Sequence, residues 1–314
     1  MKLKSYQLLI LILIGSLLVA AVVGGVAKVG LDAVVTRCPS IARHVNYKAE
    51  EQTYDFGRPF RHLAMGISLV ALIFFVRRLE ILSQVKAALQ LRPGWWRQLA
   101  AGIAIGLFSV SLIIAVSAFY EVRTFRAQLR LSHLLGDLAK LAPMVAGLSI
   151  LEELLFRGFV LQSFLKDMRA PIAIVVTSLI FSSLHFLDVR VVLPVGTDLL
   201  AGLRGLAIFT GLFHDPLGML PKLLGICFFG ILLSCAYVWT RSLYLPIGIH
   251  AGGVFTLKAS RLLFARERLV LEWFFGDGLV ITGLLGVIFL FLVTLLLYFV
   301  WGRSIRNSQS ATGN

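Results

Sequence analysis

With 314 residues, 58% of them hydrophobic and only 15% charged, and a mean hydropathy of +0.89, the chain is far more apolar than a soluble domain, which is nearer about a quarter charged. Several runs of about 20 apolar residues make it all-α, a polytopic transmembrane helical bundle, because a backbone in lipid must satisfy its own hydrogen bonds. The formal charge of +14 is spread over many short loops, with no single basic face or nucleic-acid motif, so the expected partner is the anionic surface of a bilayer and no nucleic acid.

Lys2 and Lys4, followed by an apolar stretch over 8–27, have the form of a signal sequence or signal anchor. The stretch exceeds the usual signal core of about 7–15 residues, so a retained first span is expected. Residues 31–61 are polar, with Cys38, Pro39, Arg43, Glu50, Glu51 and Asp55, and read as an extramembrane loop. A short second span covers 62–76 and stops at Arg77 and Arg78. Residues 79–97 alternate charge with Leu, Ile and Val and end in Arg92-Pro-Gly-Trp-Trp-Arg97, the pattern of an amphipathic segment with tryptophans at headgroup level. A third span covers 99–119, and 121–140 is a charged link with an amphipathic helix through Leu129, Leu131, Leu134 and Leu135.

The fourth span, 141–165, leads through the tight turn 166–171 into a fifth that continues to about residue 187. Residues 188–218, punctuated by Gly and Pro, read as a re-entrant or interfacial excursion. Spans six to eight cover 219–239, 243–264 and 279–300, which gives about eight in all, and a disordered polar tail begins at Arg303. The whole is a multi-pass protein of the cell membrane with no internal repeat. Lys2, Lys4, Arg77, Arg78, Arg303 and Arg306 favour cytoplasmic termini, against Arg123, Arg126, Arg130, Arg261, Arg266 and Arg268 on the alternate loops. Cys38, Cys227 and Cys235 form neither a metal-ligand pattern nor a disulfide framework.

The chemistry concentrates in the fourth span, where Glu-Glu-Leu-Leu-Phe-Arg occupies 152–157. Each charge at membrane depth costs about 2.5–3.5 kcal/mol on insertion scales, so such groups pair, face a wet interior, or do chemistry. Glu153 and Arg157 are spaced for a helical ion pair with the acid N-terminal. Glu152 has no cation at i+3 or i+4, where Leu155 and Phe156 stand, and so is placed to be a general base. Of the six histidines, only His185, one turn after Phe181, and His250, just before Gly252 and Gly253, lie within or at the end of apolar spans.

Glu-Glu-x-x-x-Arg in one span, Phe-x-x-x-His in the next and a histidine opening a later span resemble the CPBP or Abi intramembrane proteases, the CAAX prenyl protease 2 and lysostaphin-resistance-protein-A-like family. The resemblance divides the chain into N-terminal transmembrane and interfacial segments (1–141), a protease-like core (142–264), and a last span with its tail (265–314). It implies an endopeptidase that hydrolyses a peptide bond near or within the bilayer, acting on a membrane-associated peptide or protein. Glu152 would be the base that activates water, His185 would share that task, and His250 would polarise the scissile carbonyl. Glu153 and Arg157, with Phe181, would support the site.

The family pattern usually carries a second polar residue, often Asn, four after the last histidine, and here that position is Val254. The presumed oxyanion region is therefore Gly252, Gly253 and Val254, with a backbone N–H of the glycines or the Thr256 hydroxyl as substitute donor. No cofactor is expected. Zinc held by Glu152, His185 and His250 remains the alternative, although no His-Glu-x-x-His occurs and no aspartate in these spans is placed to orient the histidines. A non-catalytic scaffold, or a transporter with a carboxylate and histidine relay, is the other alternative.

Overall fold

The computed structural model describes residues 3–126, 130–185, 191–207, 216–266, 271–276 and 280–302. The tail from Arg303, with Arg306, and also Leu129 and Arg268 lie outside those residues. Two compact units emerge from the packing: Met1–Glu80 with Ser183–Pro216, and Ile81–Ser182 with Leu217–Asn314.

In the first unit, the N-terminal apolar run is a 31-residue helix α1, Ser5–Val35. At about 1.5 Å per residue it is longer than the hydrocarbon core is thick, and its last turns carry polar groups. A short helix α2 (Pro39–His44) and a strand β1 (Thr53–Asp55) follow, then α3 (Gly57–Phe75). The stretch read as a plain loop is thus partly ordered. Strand β1 pairs antiparallel with β3 (Val192–Pro194), and a short helix α9 (Ala201–Gly205) packs on α1 and α3.

The fully buried Lys28 of α1 is satisfied by Asp32 Oδ2 at 2.8 Å and the Gly196 carbonyl at 2.7 Å. Tyr54 donates to the other oxygen of Asp32 at 2.7 Å. Burial and that carboxylate together push the Tyr54 phenol well above its usual range.

The second unit begins with an interfacial helix α4 (Leu82–Leu89) and a long helix α5 (Trp95–Phe119). Strand β2 (Arg123–Phe125) then leads to α6 (Leu131–Glu153), a π-helical turn (Leu154–Val160) and α7 (Leu161–Asp167), which run on as one continuous 37-residue helix. The charged link and the fourth span are therefore largely one helix. Helix α8 (Ala170–His185), α10 (Pro216–Thr240), α11 (Tyr244–Leu263), strand β4 (Phe264–Arg266), α12 (Glu272–Phe275) and α13 (Leu284–Leu297) complete it.

Among the described residues six helices are long and apolar enough to cross a membrane. Helix α8 is a shorter apolar helix, and α11, interrupted by His250, Lys258 and Arg261, is not among the six. The expected count of eight is not confirmed: six helices qualify among the described residues.

Helices α5 and α11 lie side by side and run parallel. At one end the rings of Trp95 and Tyr244 are 5.1 Å apart, and beyond the other end β2 and β4 pair. The contact is a glycine seam: a Cβ on Gly102 or Gly106 would run into the carbonyl oxygens of Leu245 or Ile249. A Cβ on Gly248 or Gly252 would meet those of Leu99 or Ile103. Two Gly-x-x-x-Gly pairs facing each other let the backbones touch, and in lipid that close packing drives association.

Candidate active site

Glu152 and Glu153 end α6, and the π-helical turn starts at the next residue. Such turns are rare, and they concentrate at functional sites. Here every residue from Leu155 to Val160 is buried. Arg157 still reaches back one turn, donating from Nη1 to Glu153 Oε1 at 2.8 Å, with both side chains at 0% exposure. Its Nη2 donates to the carbonyl of Gly230 on α10 at 3.1 Å. The guanidinium also lies 4.7 Å from the centre of the Phe181 ring of α8, so a dry cation is met by an anion, a carbonyl and a π face.

His250 comes from α11, one turn past the Trp95–Tyr244 end of the seam, and is 2% exposed. Its Nδ1 is 2.7 Å from Glu153 Oε1, and its Nε2 is 3.7 Å from Glu152 Oε2. The rings of Phe181 and Phe229 meet the imidazole edge-to-face at 6.1 and 5.5 Å. Glu152, with no cation at i+3 or i+4, has an imidazole from another helix as its neighbour, which spacing along α6 cannot show. Of the two acids Glu152 is the more accessible, its side chain 12% exposed against none for Glu153.

The structure thus brings Glu152, Glu153, Arg157, Phe181 and His250 into one cluster. His185 is the exposed last residue of α8 and belongs to the stretch that groups with the first unit. Val254, half-buried, follows His250 by one turn. Gly252 and Gly253 sit inside α11, whose ladder takes their N–H groups, and Gly252 serves the seam with α5. The Thr256 hydroxyl donates to the Gly252 carbonyl at 2.9 Å. The substitute donors considered for position 254 are therefore engaged within their own helix.

Among the described residues no group of three or more His, Cys, Asp or Glu side chains is arranged to hold a metal ion. The three cysteines are free thiols.

Three contributors escaped the sequence reading. Phe229 covers one face of His250, and the Gly230 carbonyl anchors Arg157; neither carries a signal within an apolar stretch. The seam glycines did carry one, the spacing of four in both Gly102/Gly106 and Gly248/Gly252.

The cluster is a buried carboxylate–histidine pair flanked by a second acid and an arginine. Residues 135–256 match the family model described as Type II CAAX prenyl endopeptidase Rce1-like. The motifs and the match agree on one family, and they support a CAAX-type intramembrane endopeptidase in a multi-pass membrane protein. All of Glu152, Glu153, Arg157, Phe181, His185, His250 and Val254 fall inside the matched segment. No curated protein and no solved structure matches the chain.

Proposed function

We propose that the chain cleaves a peptide bond near or within the bilayer, with water activated by Glu152 and without a metal. The observation that carries this reading is the approach of Glu152 Oε2 to His250 Nε2, 3.7 Å apart across two helices in a nearly dry cluster. Glu152 takes a proton from water as the oxygen attacks the scissile carbonyl. Charge then develops on the carbonyl oxygen, where His250 Nε2–H donates. Glu152 returns its proton to the leaving amine. A positioned acid–base group contributes about 10²–10⁴ in rate and a single oxyanion donor about 10²–10³. The substrate is a membrane-associated peptide, and a prenylated C-terminal tail is the class that the family's description names.

The test is cleavage of a peptide library by purified protein in detergent, with and without a strong chelator. Glu152→Gln should abolish turnover while the protein inserts and accumulates normally, and chelation should leave the wild type active. Wild-type turnover in Glu152→Gln would remove Glu152 as the base. Loss of activity on chelation, with recovery on adding zinc, would replace this reading with a metalloprotease.

A further inference from the structure

We infer that Glu153 is the positioning residue for His250: it fixes which imidazole nitrogen carries hydrogen and so presents Nε2 to Glu152 and the substrate. The inference rests on the proposed protease reading, but it assigns Glu153 more than an ion pair with Arg157. The geometry is specific. A single oxygen, Glu153 Oε1, receives Arg157 Nη1 at 2.8 Å and stands 2.7 Å from His250 Nδ1. The other oxygen, Oε2, is buried and has no hydrogen-bond partner among the described residues. Both of the carboxylate's interactions thus converge on the atom that faces the histidine.

A carboxylate held by an arginine accepts and does not donate, so Nδ1 carries the hydrogen of this pair. The remaining nitrogen, Nε2, then faces Glu152 at 3.7 Å and is the one that can take a proton there and, once protonated, donate to a developing oxyanion. Arg157 completes the device. Bound to Glu153 on one side and to the Gly230 carbonyl on the other, it stops the carboxylate from rotating away. Phe181 stacks over Arg157 and also meets His250 edge-on, so the same ring closes both ends of the arrangement. Such a partner also offers a physical account of Val254. With no polar side chain one turn after His250, oxyanion stabilisation falls on His250 Nε2, which donates once it has taken a proton, and a ring whose Nδ1–H is held by Glu153 is better aimed for that.

The experiment compares Glu153→Gln and Glu153→Leu with wild type by two readouts. The first is the tautomer of His250 from 15N histidine resonances in the full chain, with His250→Gln used to assign the signal. The second is kcat and KM on whichever peptide the wild type cleaves. Glu153→Gln retains an amide oxygen that can accept from Nδ1–H, so where it accumulates it should keep KM while kcat falls about 10–100-fold, the loss typical when the residue orienting a functional histidine is changed. In wild type the His250 signal should report hydrogen on Nδ1, and in Glu153→Leu, where that protein accumulates, a mixture of tautomers.

A wild-type signal with hydrogen on Nε2 alone overturns the inference, as does a Glu153→Gln enzyme with unchanged kcat. The tautomer needs no turnover to be read. A chain that cleaves nothing yet shows Nδ1–H held by Glu153 would sink the protease reading and leave this assignment standing.

Discussion

Replacing Arg157 by Ala tests whether the buried ion pair is structural. The side chain is at 0% exposure, and its removal withdraws a donor from Glu153, a donor from the Gly230 carbonyl and a cation from the Phe181 face. Breaking a buried pair by deleting one partner costs about 3–5 kcal/mol, because the other charge stays dry. His250, 2.7 Å from the same oxygen, remains as a partial partner and keeps the cost from rising above that range. At about 2–4 °C per kcal/mol for domains of this size class, the melting temperature should fall by roughly 6–20 °C. The assay is thermal unfolding in detergent together with accumulation in membranes. Arg157→Lys keeps the charge but cannot reach both Glu153 and Gly230 in a fork, so it should fall between the two. Wild-type melting and accumulation in an inactive Arg157→Ala protein would refute the reasoning and make Arg157 purely a participant in the chemistry.

Val254→Asn places an amide one turn from His250 and should raise turnover, by up to the roughly 10²–10³ that one oxyanion donor is worth; a neutral or harmful result in a kcat assay would show that no donor is wanting there. Gly106→Leu should prevent stable accumulation, since its side chain would meet the Ile249 carbonyl, whereas Gly253→Ala, whose added carbon finds only ordinary contacts at 3.6 Å, should melt within about 1–2 °C of wild type. Equal behaviour of the two glycine variants in thermal unfolding would show that the seam is not what holds α5 to α11.

Much of the site was readable from residue types alone, because membrane depth makes each charge conspicuous. Glu152, Glu153, Arg157 and His250 stood out for that reason, and the structure gathers them. The partnership between Glu153 and His250 was not readable, since it joins residues 97 apart through a helix crossing that no periodicity records. The π-helical turn left no mark either: apart from Arg157, which an α-helix would accommodate equally well at this spacing from Glu153, Leu154–Val160 is apolar, with only Gly158 to weaken a helix. Helix α6 begins at Leu131, where the link was read as carrying an amphipathic helix, and it runs on into the fourth span because Asp137 and Lys140 lower the hydropathy without breaking the hydrogen-bond ladder. Charge argues against hydrocarbon; it does not argue against a helix.

The glycine seam has a consequence for any attempt to trim this protein. Its α5 half, Gly102 and Gly106, lies upstream of the recognisable segment 135–256, while its α11 half, Gly248 and Gly252, lies inside it. The height at which His250 rides in the bilayer is therefore gauged by a helix that carries none of the family's motifs. A fragment cut at residue 135 would keep every charged residue of the cluster and lose the rail on which the histidine is aligned. The smallest useful fragment of the second unit has to start before Trp95.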